Sequence, residues 1–164
     1  MDFKDYITED EKGTYAGIRL SDDDVDVIVN LCKELKLPNP TPRKDIHITL
    51  LYSRKHVPDL KLDDIIDEWA YPDKFHVFPT FDDKRALVLK LQSKYCINRH
   101  KQLMSDYDAT YDYPEYIPHV TLSYDIGDMK MPTFKDVEEM PKEFHLDKEY
   151  QEDLKLEWKP KQKD

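Results

Sequence analysis

Ile46-His47-Ile48-Thr49-Leu50 and Pro118-His119-Val120-Thr121-Leu122 are two copies of one pattern, a histidine and a threonine two positions apart in an apolar run. In an extended strand, residues i and i+2 project from the same face. His47 therefore shares a face with Thr49, and His119 with Thr121, while Ile48 and Val120 turn toward a core. A single histidine in an apolar strand is most often a packed core residue. Two His-x-Thr pairs among six histidines and eight threonines are a different matter. Chance placement of both is roughly a few-per-cent event, before the matching Leu50 and Leu122 are counted.

The sequence ahead of each copy also repeats. Residues 14–20 read as a strand, and Ser21 can cap a helix whose first turn holds Asp22, Asp23 and Asp24, favourable to the helix dipole. Val25, Ile28, Val29, Cys32 and Leu35 recur at spacings of three and four, one apolar stripe of a helix that ends before Pro38. Three prolines between Pro38 and Pro42 force an extended entry into the strand 46–52. Ser93 can likewise cap a helix running to about Tyr107, followed by a Tyr-rich irregular stretch and the strand 117–124. Each half thus runs from a long helix through a proline-bearing entry to a His-x-Thr strand, which predicts two related lobes.

Between these halves, residues 62–69 read as a short helix, and residues 75–78 and 86–91 as a hairpin around Asp82-Asp83-Lys84. The clearest strand in the last third is 152–158, with a polar tail at 159–164 expected to be disordered. The expected organisation is one two-lobed domain over 1–158 followed by that tail.

Composition narrows the function. The net charge of −10 over 164 residues disfavours a groove for duplex nucleic acid, which relies on Lys and Arg displacing counterions. A small anionic ligand needs only a local cluster of donors and stays allowed. Cys32 and Cys96, the two cysteines, fall in predicted helices without C-x-x-C spacing and read as buried free thiols. No run approaches the roughly 18 apolar residues of a membrane span, and the charged start lacks the apolar core of a signal peptide. A cytoplasmic location is expected, with no membrane partner. His56, His76, His100 and His145 have no His-x-Thr context or metal-ligand spacing, and no metal or cofactor is expected. Arg43, Lys44 and Arg54 flank the first motif, where they would help bind phosphate or simply stay solvated.

Histidine titrates near neutrality, so a pair can divide the roles of base and acid. A neutral imidazole can take the proton of a 2′-hydroxyl attacking the adjacent phosphorus, while an imidazolium protonates the departing 5′-oxygen. Thr49 and Thr121 can donate hydrogen bonds to the phosphate oxygens, whose charge grows in the transition state. His47, Thr49, His119 and Thr121 are thus the candidate catalytic set.

At these residues the sequence resembles the 2H phosphoesterase superfamily, named for two His-x-Ser/Thr motifs, and the separation of 72 positions between His47 and His119 suits it. The stretches 37–54, 118–124 and 146–158 resemble the phage anti-CBASS cyclic-oligonucleotide phosphodiesterases. The resemblance implies an α+β fold, antiparallel sheets with flanking helices and a central cleft between pseudo-symmetric lobes. It also implies metal-independent cleavage of 3′–5′ linkages in cyclic di- and trinucleotide immune signals, in a host cytoplasm if the chain is phage-encoded. By the same resemblance, Tyr15 and Trp158 would stack on bases, and Glu152 would hydrogen-bond a purine edge. Phe78 stands where the family is expected to carry a tryptophan, keeping the aromatic face without the indole donor. Glu115 and Tyr116 are further candidates for reaching the ligand, weighed against packing in their loop.

Two other functions fit the same motifs. One is a 2H enzyme acting on 2′,3′-cyclic phosphates or RNA 3′ ends, for which a basic track would be expected. The other is a sponge that binds cyclic nucleotides without cleaving them, which has no need of two acid/base groups. Monomer and homodimer stay open.

Overall fold

The two long helices begin where serine caps predict them. The structure is a computed structural model and describes residues 12–155 apart from 81, 112 and 114. Helix α1 spans Asp22–Glu34, with the Ser21 side chain accepting from the Asp24 amide, and Val25, Ile28, Leu31 and Cys32 buried. Helix α2 spans Lys94–Tyr107 and begins the same way, the Ser93 side chain accepting from the Cys96 amide. Asp108 ends it in the left-handed region, at φ 51°. Both cysteines are buried free thiols.

Six antiparallel strands pack with these helices: β1 Lys12–Leu20, β2 Ile48–Ser53, β3 Ile65–Pro79, β4 Arg85–Gln92, β5 His119–Ser123 and β6 Phe144–Lys155. They close into a ring in the order β1-β2-β5-β4-β3-β6. The apolar face of β1, β2, β4 and β5 packs with α1 and α2 into one core that includes Ile18, Ile48, Leu50, Leu89, Val120 and Leu122. The other face carries the polar and aromatic residues of the site.

The seam between β2 and β5 is narrow. One register pair joins them, Ile48 with Val120. Alongside it, the proline segment replaces a regular strand partner for β5. The Thr41 amide donates to the Leu122 carbonyl at 2.9 Å and its hydroxyl to the Thr121 carbonyl at 2.7 Å, while Pro40 bridges Ser123. Prolines lack the N–H that a continuous ladder requires, so a threonine among them supplies the donors.

Two expectations are corrected. Residues 62–69 are not a helix; from Ile65 onward they belong to β3, in which Ile65 is 83% exposed. Their apolar spacing fits a helix, but the long β6 offers backbone pairing instead, matching Ile65 with Lys148, Trp69 with His145 and Ala70 with Phe144. The last strand begins earlier than expected, at Phe144, because it pairs with both β1 and β3. Within the hairpin, β3 and β4 pair Phe75 with Leu89 and Phe78 with Ala86, with Asp83 at φ 64° in the connecting turn.

Candidate active site

Because Ile48 faces Val120 and both side chains are fully buried, the residues on either side of each must project to the opposite face. In an antiparallel pair this sets His47 beside Thr121, and Thr49 beside His119. The two motifs interlock across the seam. All four residues are partly exposed.

His119 is held by its own strand entry. Its Nδ1–H donates to the Ile117 carbonyl at 2.8 Å, which leaves Nε2 free for a ligand. Burial pushes its pKa down, opposed by that backbone bond, and the Lys90 ammonium pushes it down further. The His47 imidazole is likewise shifted down by burial, with Asp45 acting in the opposite sense and Arg19 and His119 reinforcing the shift. The two imidazoles are therefore close enough to influence one another.

Around His47 the walls are aromatic. The Tyr15 ring stands edge-on to it at 5.5 Å and Tyr150 at 6.4 Å. The hydroxyl of Tyr15 lies 3.1 Å from Thr49 Oγ1, and burial raises its pKa far above the ordinary phenol value, so Tyr15 stays a neutral hydrogen-bonding partner. Gly17 makes room for this ring: a Cβ there would sit 2.8 Å from Tyr15 Oη. The Arg19 guanidinium covers the Tyr150 ring at 4.6 Å. On the other side of the seam, Phe78 stands 5.9 Å from His119 and 4.6 Å from His76.

The remaining candidates fall into place as follows. Glu152 pairs with Tyr15 in the β1–β6 ladder, so both lie on the same face, and Glu152 is exposed. Glu115 is exposed in the loop before β5. Trp158 lies outside the described residues. Tyr116, partly exposed, is held within the protein: its hydroxyl donates to the Thr49 carbonyl at 2.7 Å and its ring stacks on His100 at 4.1 Å, nearly parallel at 8°. His100 in turn donates from Nδ1 to the Leu50 carbonyl at 2.6 Å. These bonds fall where the β1–β2 register slips, Ala16 pairing with Leu51 but Gly17 with Thr49, so that Leu50 has no partner on β1. Two side chains thus fix the slip that aims Thr49, a role for His100 that its sequence context did not reveal.

Arg43 is bonded to Asp26 and to the Asp22 carbonyl, whereas Lys44 makes no ion pair or hydrogen bond among the described residues. With Arg19 they line an open depression of about 540 Å³ next to the first motif.

A six-stranded antiparallel ring that sets two His-x-Thr pairs side by side has the fold expected from the resemblance to two-histidine phosphoesterases. Solved structures agree on the fold: a Thermus thermophilus protein superposes with a TM-score of 0.55 at 14% identity, covering 84% of this chain and 82% of that one. A second, described as a phosphoesterase, gives 0.53 at 10% identity, covering 86% and 87%. Residues 12–161 match the family model described as anti-CBASS protein Acb1, and the chain belongs to that family. Its relatives of that name include a Salmonella phage S16 protein, 39% identical over 158 residues, covering 96% of each chain. The Enterobacteria phage T4 relative is 37% identical with the same coverage of both, and that of Acinetobacter phage Ac42 is 38% identical, covering 94% of this chain and 99% of its own.

Proposed function

We propose that this protein is a phage phosphodiesterase that cuts 3′–5′ linkages of cyclic di- and trinucleotide signals by acid/base catalysis, silencing the host defence those signals drive. The observation that carries the proposal is the Ile48–Val120 pairing, which sets an imidazole and a hydroxyl from each motif on one face.

One imidazole accepts the proton of the ribose 2′-hydroxyl as its oxygen attacks the neighbouring phosphorus. The bond from phosphorus to the 5′-oxygen breaks, and the other imidazole, protonated, delivers its proton to that oxygen. A 2′,3′-cyclic phosphate and a free 5′-hydroxyl result. His119 presents Nε2 for this exchange, since Nδ1–H is held by Ile117. Thr49 and Thr121 donate to the non-bridging oxygens as charge accumulates there. Tyr15 orients Thr49 through its hydroxyl. Phe78, beside His119, offers an aromatic face to a base, and Glu152, on the face of Tyr15, offers an acceptor for an exocyclic amine, which favours adenine.

The test is a panel of 3′,3′-linked cyclic dinucleotides and trinucleotides incubated with purified protein in EDTA, alongside analogues lacking the attacking 2′-hydroxyl. The ribo substrates should open to products ending in 2′,3′-cyclic phosphate, and the 2′-deoxy analogues should persist. Ligands that bind but stay intact would make the protein a sponge. Cleavage of the 2′-deoxy linkages would reject the 2′-hydroxyl as nucleophile.

A further inference from the structure

The four residues of the two motifs offer a phosphodiester no fixed positive charge. Threonine hydroxyls are neutral, and burial holds both imidazoles toward the neutral form. Yet the ligand carries one negative charge per linkage, and a second develops at phosphorus as the 2′-oxygen adds. The chain as a whole, at −10, repels such a ligand. A local source of positive charge is needed.

The sheet supplies one on each side. Lys90 on β4 is the ladder partner of His119 on β5, so its side chain shares the face of that imidazole. Arg19 on β1 comes level with His47 one step beyond the Ile18–Ile48 pair. About the Ile48–Val120 seam these positions correspond: each imidazole has one cation on the strand lying outside it. Their electrostatic reach is evident in the imidazoles, Lys90 acting on His119 and Arg19 on His47.

Their position beside the imidazoles, more than the lack of an acid partner, separates them from other unpaired cations such as Lys44. Arg43, Lys55, Lys84, Arg99 and Lys148 are all paired with carboxylates. Among the described residues neither Lys90 nor Arg19 has such a partner. Lys90 is half-buried, and its ladder partner on the adjoining strand is another cation, Lys74, while burial and these two lysines hold the nearby His76 toward its neutral form. A half-buried lysine beside a second cation and without a carboxylate partner is unfavourable for folding, which points to a requirement for its charge. Arg19 is fixed by stacking on Tyr150 rather than by an acid, so its N–H groups stay available.

We infer that Lys90 and Arg19 are the phosphate-binding cations of this site, one at each end of the acid/base pair, and that they neutralise the charge developing on a nucleotide phosphodiester. This rests on the phosphodiesterase reading above. Lys90 contributes more, being the less exposed of the two, and Arg19 adds donors from the side that opens into the depression shared with Lys44.

The experiment compares kcat and KM for wild type, Lys90→Gln, Lys90→Arg, Arg19→Gln and Arg19→Lys on a cyclic dinucleotide, with Lys101→Gln on the exposed side of α2 as control. Wild type is assayed first; if it leaves the whole panel intact, the phosphodiesterase reading falls, independently of these residues. With wild type active, Lys90→Gln should lose about 10- to 100-fold in kcat/KM, mostly in kcat, and Arg19→Gln about 10-fold, with most of each loss restored by the charge-conserving variant. The pH profile should also move to higher pH in Lys90→Gln, because the cation depressing the His119 imidazole is gone while His47 and Lys74 are unchanged. Arg19→Gln should move the profile the same way through His47, against the unchanged influence of Asp45 and His119. Folded glutamine variants with kcat/KM within about twofold of wild type would overturn the inference. So would losses that charge-conserving variants do not restore and that leave the pH profile unmoved.

Discussion

Ile48 on β2 stands opposite Val120 on β5, and neither side chain has any solvent exposure. This one pairing determines the site, because it turns the residues before and after each partner to the opposite face and brings two distant copies of one motif together. The seam is supported on both flanks, by Thr41 on the carbonyls of β5 and by Tyr116 and His100 on those of β2.

Both imidazoles are shifted below the ordinary value of 6.5 by burial. kcat/KM reports the acid and base of the free enzyme, and for an interacting pair the two apparent values belong to the pair. Activity rises as the base loses its proton and falls as the acid loses its own, and both events lie below the ordinary value. The bell of kcat/KM should therefore centre below pH 6.5 and decline toward neutrality. A profile of kcat/KM against pH centred above 7 would contradict the burial described for these rings.

Tyr116→Phe removes the donor to the Thr49 carbonyl while leaving the ring stacked on His100. The loss should cost about 1–2 kcal/mol of stability, read in urea denaturation, because a partly buried acceptor is left unpaired. Turnover should drop more than substrate binding, since Thr49 loses its fixed backbone. A direct base contact by Tyr116 would instead raise KM.

How much of this was legible beforehand differs by element. The two His-x-Thr strands and the capped helices could be read because periodicity, caps and motif reside in consecutive residues. The strand at Ile65 could not, since its spacing mimics a helix and only its pairing with a strand about 80 positions later, from Phe144, decides the matter. The same holds for Lys90 and Arg19, which look like solitary charges in their own segments and become a pair only through the ladders that set them beside the histidines. His100 was unreadable for a similar reason: its partner is a carbonyl exposed by a register slip on another strand.

Gly17→Ala tests the close approach of Tyr15. The new Cβ would meet Tyr15 Oη at 2.8 Å, so the ring must shift and its bond to Thr49 must break. A cost of about 1–3 kcal/mol and a fall in kcat are expected, larger than those of Tyr15→Phe, which removes the hydroxyl without moving the ring. Equal stability of Gly17→Ala and wild type in thermal unfolding would show that the ring has room to relax.

Glu149, 1% exposed on β6, accepts two hydrogen bonds from Arg99, from Nε at 2.9 Å and Nη2 at 3.0 Å, and one from the Tyr95 hydroxyl. This cluster ties α2 to the ring of strands. Arg99→Met should cost about 3 kcal/mol by leaving a buried carboxylate without its cation, whereas Arg99→Met combined with Glu149→Leu should recover much of the loss. Chemical denaturation of the three proteins measures it, and a double variant no more stable than Arg99→Met would count against this account of the pair.

The most direct measurement is single-turnover cleavage of a cyclic dinucleotide by wild type, His47→Ala and His119→Ala, with ligand binding followed in parallel. Each substitution should slow the chemical step by about 10²–10⁴-fold while the ligand still binds. Cleavage by either variant at close to the wild-type rate would contradict a shared acid/base pair across the seam.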